Sequence, residues 1–241
     1  SEVQEIIIKN KKAIGLKINS KEIFSDIVIS NSDIEHTYKK LMPKQIIPNY
    51  ITRNEKSSSA IIFLWGIKKK FEELDLHNIF FSSDYKQEFD DIFQNKIISG
   101  DPTIYINISS KENIKDAPKN CENWFTMINV PSNQGQDWSD LIRSAKKNII
   151  KKLNKNLKAD VESYIQFEKV ISPMDIEKNT NSSNGSLYGS SSNDKFSALL
   201  RHSNFSNKIK NLFFCGGSVH PGGGIPLCLL SAKIVSDLVK T

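Results

Sequence analysis

The sequence predicts a mixed α/β chain, and three patterns carry that prediction. Between Val3 and Ile29 lie three runs rich in β-branched residues, separated by short polar breaks, which is the pattern of a β-meander. From Trp138 to Leu157 the apolar residues Trp138, Leu141, Ala145, Ile149 and Leu153 recur at helical spacing with lysines opposite them. Near the C-terminus an apolar stretch, Asn211 to Phe214, is followed by a cluster of glycines and then by a helical pattern from Ile225 to Val239.

Taken in order, Val3, Ile6 and Ile8 form the first run, Ala13, Ile14, Leu16 and Ile18 the second, and Ile23, Ile27, Val28 and Ile29 the third. Lys9-Asn10-Lys11 and Asn19-Ser20-Lys21 have the residue types of tight turns. Asp33 is placed to cap a short helix reaching Leu41, which Pro43 ends. Pro48 and the polar stretch Thr52 to Ser59 mark a crossing into another layer. Ala60 to Ile67 reads as a buried strand, apolar pairs come next at Leu74, Leu76, Ile79, Phe80 and Phe81, and Ser83 to Phe93 reads as a helix. Thr103 to Ile108 and Trp124 to Val130 read as two strands of an antiparallel sheet. Asp137 or Ser139 caps the long helix that begins at Trp138. Asn179 to Asp194, rich in Ser, Asn and Gly, reads as a loop.

The chain has 241 residues, 38% of them hydrophobic and 25% charged, enough for one large domain or two small ones with an ordinary core. The longest apolar run, Ala60 to Ile67, falls far short of the ~20 residues a membrane-spanning helix needs. The chain opens on Ser1 with no charged-then-apolar leader, so a secretory signal is not expected, and either processing or a piece of a longer protein is. Cys121, Cys215 and Cys228 are odd in number and widely spaced, which argues against a disulfide framework and a structural zinc site and for a reducing compartment. The four histidines, His36, His77, His202 and His220, are scattered, and no Ser-His-Asp or metal-ligand spacing is present, so hydrolase and metalloenzyme readings fall away and no metal is expected. A net charge of +6 from scattered lysines is weak grounds for a nucleic-acid partner, and none is expected.

None of the 11 glycines completes a G-x-G-x-x-G fingerprint; after Gly222-Gly223-Gly224, Leu227 stands where the last glycine would fall. Five of the 11 nevertheless lie between Gly216 and Gly224, beside His220-Pro221. Such a cluster either makes a tight strand-to-helix turn or lets backbone approach a bound group, with the helix N-terminus favouring negative charge there. His220 is of the type that serves as a general base, or it only hydrogen-bonds backbone. Arg201-His202 either anchors the Ser/Asn-rich loop or closes on a polar substrate end.

The segment Asn211-Leu-Phe-Phe-Cys-Gly-Gly-Ser-Val-His-Pro-Gly-Gly-Gly-Ile-Pro-Leu227, followed by Ser231-Ala232-Lys233, resembles the C-terminal flavin-binding segment of the bacterial-type phytoene desaturase and carotenoid oxidoreductase family, which is FAD-dependent and amine-oxidase-like. Ser172-Pro173-x-x-Ile176-Glu177, Gly185-Ser186-Leu187-Tyr188-Gly189 and Arg201-His202-x-Asn204 resemble the same family upstream, as do Glu2 to Ile6 and Asp26 to Asn31. Glu122 to Pro131 with Gly135-Gln136-Asp137-Trp138 is most similar to its hydroxycarotenoid 3,4-desaturase branch. The likeness covers nearly the whole chain but lacks the family's opening βαβ unit, so it is a likeness to a C-terminal half.

The resemblance implies the C-terminal part of an FAD-binding Rossmann-like domain plus a substrate domain with an antiparallel sheet and helices. Residues 1–45 and 169–241 would belong to the FAD domain and 46–168 to the substrate domain. It implies desaturation of an acyclic carotenoid, with FAD as cofactor and little activity from this half alone. Implied cofactor contacts are Val3 through its backbone to adenine, and Gly216, Gly217, Gly224, Ile225, Pro226 and Leu227. His220 and Arg201 are weak candidates for catalysis. A polyene tunnel would be lined by residues such as Ile61, Phe63, Trp65, Phe80, Phe81 and Phe125, unless these are ordinary core. Implied partners are the carotenoid, a membrane surface met peripherally from the cytoplasm, and the missing N-terminal half of the same enzyme. The departure at Gly217-Ser218, where related oxidases carry an acid, leaves cofactor contacts there to backbone or hydroxyl groups. Two other readings stay open: flavin-dependent isomerisation of a polyene, and a basic lipid- or nucleic-acid-binding module without turnover.

Overall fold

A computed structural model of the chain describes residues 1–191 and 201–240. The fold is mixed α/β and divides into two compact units, Ser1–Ser57 with Glu177–Thr241, and Ser58–Ile176. These breaks fall 12 and 8 residues later in the chain than the positions 45/46 and 168/169 that the resemblance implies. The helix Asn49–Arg53 buries Ile51 in the first unit's core, and a strand at Ile165–Ile171 pairs within the second unit.

In the first unit, β1 (Val3–Lys9), β2 (Lys12–Ile18) and β3 (Lys21–Phe24) form an antiparallel meander. Its turns place Asn10, Lys11, Asn19 and Ser20 at positive φ, the conformation a two-residue hairpin requires. The third β-branched run is not one strand. It breaks after β3, where Ser25 N–H bonds Ile14 O and Ser25 Oγ turns onto Ile27 O, and resumes as β4 (Val28–Ser30) in a different sheet. There β4 lies parallel to a strand about 180 residues later, with Val28 opposite Leu212 and Ser30 opposite Phe214. Asp33 caps the helix after β4, accepting from the N–H groups of Glu35 and His36; α1 (Ile34–His36) continues as a wider turn to Leu41. The core joins Ile6, Ala13, Val28, Ile34, Tyr38 and Phe214.

After α2 (Asn49–Arg53) the chain enters the second unit. Its sheet comprises β5 (Ser59–Ile67), β6 (His77–Phe80), β7 (Ile104–Asn107), β8 (Glu122–Val130) and β9 (Ile165–Ile171), all antiparallel, in the order β6-β7-β8-β5-β9. Between β6 and β7, α3 (Tyr85–Asp90), capped by Asp84, extends in a wider turn to Asn95. Alternate residues of β5 and β8, among them Ile61, Phe63, Trp65, Trp124 and Ile128, pack with Ala145, Ile149 and Leu153 of α4 (Trp138–Leu157) in one core. Asp137 caps α4 by accepting from Ser139 and Asp140 N–H. Buried Glu122 receives bonds from Trp124 Nε1 at 2.9 Å and Phe71 N–H at 3.1 Å and pairs with Lys111 at 2.8 Å, so its charge is compensated. The strand β9 has no apolar alternation to announce it: it is a mostly exposed edge strand held by its pairing with β5.

The chain returns to the first unit through α5 (Pro173–Thr180). The Ser/Asn/Gly-rich stretch is loop and short turn as far as Ser191, and Ser192 to Asp194 lie outside the described residues. Last come β10 (Leu212–Phe214), the glycine-rich turn and α6 (Ile225–Lys240).

Candidate functional site

The site grows from β10 and the glycine-rich turn that leaves it. Because β4 and β10 run parallel, both release their chains at the same end: β4 into Asn31 and α1, β10 into Gly216. Gly216 has φ +107°, and a Cβ there would stand 2.6 Å from Asn31 Oδ1, so only glycine fits. Gly216 N–H donates to Ser231 Oγ at 3.1 Å, pinning the start of the turn to the second turn of α6. Ser218 Oγ accepts the N–H of Ile34 at 2.9 Å and ties the same turn to the start of α1. The Ser218 hydroxyl, one of the groups the resemblance left for cofactor contact, is thus engaged by the protein itself.

Asn204 braces this arrangement from within. It is 3% exposed, and its Nδ2 lies 3.1 Å from Phe214 O, 2.8 Å from His220 O and 2.9 Å from Ser231 Oγ. One side chain therefore links β10, the glycine-rich turn and α6. Arg201 forms a second brace: Nη1 donates to Gly217 O at 2.9 Å and to Tyr188 O at 3.1 Å, and Nη2 to Ser190 O at 2.9 Å. Its guanidinium, whose pKa burial lowers, thus holds the Ser/Asn-rich loop against the turn. His202 is buried beside it. Its Nδ1 donates to Ser203 O at 2.7 Å, which leaves Nε2 to accept from the Tyr38 hydroxyl at 3.1 Å. Burial pushes His202 below its ordinary pKa and raises Tyr38 to about 12, so this pair stays neutral.

The residues expected to touch a cofactor divide into two places. Gly216, Gly217, Gly224, Ile225, Pro226 and Leu227 come together along the turn and the start of α6, whereas Val3 opens β1, paired with Ile18. Gly224 has φ +96°, and a Cβ there would meet nothing within 4 Å; Ile225 is 79% exposed. The first helical bond of α6 runs from Cys228 N–H to Gly224 O, so Ile225 and Leu227 keep N–H groups without intrahelical acceptors, and Pro226 has none to leave. The open backbone at Gly224 and the positive end of a 16-residue helix suit an electron-rich or anionic group. His220 contributes its backbone to the turn: its N–H donates to His202 O at 2.9 Å and its carbonyl receives Asn204. Sequence reasoning placed Asn31, Asn204 and Ser231 inside family-like strings and Ser218 at a departure from the family pattern, but gave none of the four its partner. Asn204 stands in the Arg-His-x-Asn string, but single polar residues on apolar elements carry no signal of whom they will meet. Among the described residues no group of three or more His, Cys, Asp or Glu could hold a metal ion.

In the second unit, Ile61 and Phe63 are 0% exposed and are core against α4, and Trp65, 2% exposed in the same core, also borders the cavity on the sheet's other face. Phe80 packs partly buried at the same core, and Phe81 is 65% exposed. Phe125 points to the other face of the sheet, where with Leu64, Gly66, Pro118 and Phe167 it lines an open, largely apolar cavity of about 480 Å³.

No family model matches the chain. Among curated proteins, it is 54% identical over 237 residues to a 1-hydroxycarotenoid 3,4-desaturase of Flavobacterium sp. (strain P99-3), a match covering 98% of this chain and 49% of the relative. It is 31% identical to a 4,4'-diaponeurosporene oxygenase of Staphylococcus aureus, over 99% of this chain and 49% of that one, and 30% identical to a phytoene desaturase of Fusarium fujikuroi, over 89% and 41%. The chain thus spans about half the length of the curated relatives it matches. A solved oxidoreductase from Methanosarcina mazei shares the fold, with a TM-score of 0.63 over 100% of this chain and 49% of that one, at 11% identity. Over nearly its whole length this chain is a sequence relative of the phytoene desaturase and carotenoid oxidoreductase family.

Proposed function

We propose that the chain forms part of an FAD-dependent desaturase of acyclic carotenoids, acting on a 1-hydroxylated substrate in preference to phytoene. The observation that carries this reading is the 54% identity to the Flavobacterium 1-hydroxycarotenoid 3,4-desaturase, which includes the glycine-rich turn within its span. When bound, FAD supplies a hydride acceptor as two hydrogens leave a C–C single bond and the conjugated system lengthens.

The chain's own residues would bind and orient. Gly216 and Gly217 would contribute backbone groups from the packed start of the turn, the open backbone of Gly224 would allow close approach, and the N–H groups of Ile225 and Leu227 at the positive end of α6 would offset negative charge that develops on reduction. The backbone of Val3 would hold adenine. Arg201 and Asn204 are positioning residues, since their bonds are to the turn's carbonyls. In the second unit the apolar cavity beside Leu64, Phe125 and Phe167 would receive part of the polyene.

The partner would be the remaining half of such an enzyme. Three apolar side chains of α6 and one of β4 support this: Ile225, Leu229, Leu230 and Ile29 are 79%, 66%, 45% and 50% exposed, an uncovered face for a two-stranded parallel ribbon that ordinarily sits inside a larger, covered sheet. No described helix is long and apolar enough to cross a membrane, and contact with a cytoplasmic membrane surface would be peripheral.

The test is the absorption spectrum of the chain purified after co-expression with a polypeptide supplying the other half, followed by anaerobic addition of carotenoids. A flavin spectrum that bleaches with a 1-hydroxylated carotenoid and less with phytoene is expected, and Gly224→Ala should lose the flavin. A well-folded complex without flavin would overturn the reading; an isomerised product of unchanged formula would replace desaturation by isomerisation.

A further inference from the structure

On the first unit, residues 205–209 lead into β10 from the end opposite the glycine-rich turn, and Lys210 there exchanges backbone bonds with Lys11 and Ala13 at the β1–β2 turn. Two cavities border this end, of about 460 and 710 Å³. They share Gln45, Asn207, Lys208 and Ile209 and so make one groove. Its far wall is aromatic, formed by Tyr38, Tyr50, His202 and Phe205.

The charge in the groove has one sign. Lys44 lines one cavity, Lys11 the other and Lys208 both, while no Asp or Glu among the described residues lines either. Lys44 meets Glu5 only at 3.9 Å with its side chain 86% exposed, so it is free to turn to another anion. The aromatic wall behaves oppositely: Tyr38 donates to a neutral His202 and stays protonated, so that end takes an uncharged, apolar body. At the rim Ile46 is 83% exposed, with Tyr50 and Phe205 at 41% and 42%. Apolar side chains turned to solvent beside three lysines match a ligand with an anionic end and an apolar one.

We propose that this groove binds an amphiphile carrying a net-anionic phosphate, with the phosphate at Lys208 between Lys44 and Lys11 and the apolar portion against Tyr50, Phe205 and Ile46. The phosphate belongs either to a membrane phospholipid or to a soluble phosphate ester. The proposal is independent of the flavin reading, because the groove lies at the entrance of β10 and the glycine-rich turn at its exit.

The full chain is titrated calorimetrically with monomeric dihexanoylphosphatidylglycerol, with dihexanoylphosphatidylcholine and inorganic phosphate in parallel. Phosphatidylglycerol should bind roughly tenfold more tightly than phosphatidylcholine, and the double variant K44E/K208E should lose that preference while K44R/K208R keeps it. Both lysines are exposed, so an unchanged circular dichroism spectrum is expected of all variants. Tyr50→Ala should weaken both lipids and leave inorganic phosphate unaffected. Co-sedimentation with phosphatidylglycerol-containing vesicles, absent with pure phosphatidylcholine, assigns the phosphate to a membrane; monomer binding without co-sedimentation assigns it to soluble esters. Equal affinity for the two lipids, indifference to K44E/K208E, or inorganic phosphate binding as tightly as phosphatidylglycerol would overturn the proposal.

Discussion

Asn204 Nδ2 stands 2.9 Å from Ser231 Oγ, with both residues buried, and through this bond β10, the glycine-rich turn and α6 are held as one piece. The amide has two protons and reaches three acceptors, and Ser231 Oγ in turn accepts Gly216 N–H. Removing either member leaves buried backbone groups without partners, which costs more than a bond between exposed groups.

Asn204→Ala should therefore destabilise the chain by about 3 kcal/mol and Ser231→Ala by about 1–2 kcal/mol. The double variant should cost less than the sum, because each single change already breaks the shared bond. Urea denaturation of the four proteins measures this, and strict additivity would show that the two residues act separately.

Arg201 spans three carbonyls from two segments with a planar fork that lysine lacks. Arg201→Lys and Arg201→Met should both lower stability, by about 2–3 kcal/mol for Met and somewhat less for Lys. An Arg201 that acted only on substrate would leave the denaturation midpoint where it is.

His202 sits folded with its pKa pushed below the ordinary 6.5 by burial. The unfolded chain takes up that proton first as pH falls, so the contribution to stability is complete above about 6.5 and is lost as pH drops from there to the folded-state value. His36, also lowered mainly by burial, adds in the same direction. Stability should fall from pH 7.5 to 5.5 by at most about 1.4 kcal/mol per pH unit per histidine. His202→Gln, which can still accept from Tyr38, should flatten the profile without abolishing it. The carboxylates of Glu35, with Lys39 and Lys56 beside it, and Asp101, lowered to about 2 by Lys152 and Ser83 against the cost of burial, act in a lower window. Their stabilisation is lost below about pH 4.5, so the two effects separate.

Phe63 and Phe125 lie on neighbouring strands and on opposite faces of the same sheet. Phe63→Ala should cost about 3–5 kcal/mol because it empties a fully enclosed core position. Phe125→Ala should cost about 1 kcal/mol and instead weaken retention of an acyclic polyene in detergent, read from carotenoid absorbance of the purified protein. Equal losses of stability would mean that the outer face is as closed as the core.

The elements that were legible in the sequence are those whose signal is local. The α4 stripe, a cap at Asp137 or Ser139 of which the structure uses Asp137, the two hairpin turns and the strand, glycines and helix at the C-terminus all come from spacing and turn chemistry within a few residues. The run from Ile23 to Ile29 shows where that stops: its residues favour extended backbone throughout, but which sheet each part joins depends on Leu212 to Phe214, far along the chain. The strand β9 escaped the sequence pattern for the same reason, since an exposed edge strand is held by its neighbour rather than by its own alternation.

At the site, the sequence by itself determined that glycines would gather between a strand and a helix, because glycine spacing is a local property, and that the chain is related to the carotenoid oxidoreductases. Only the tertiary structure decided that Arg201 braces two loops, that Asn204 and Ser231 meet, and that Phe63 faces core while Phe125 faces a cavity. The physical reason is that a polar side chain's hydrogen-bond partner, and the face of a strand that is covered, are set by segments distant in sequence, and no local pattern encodes which of them will arrive.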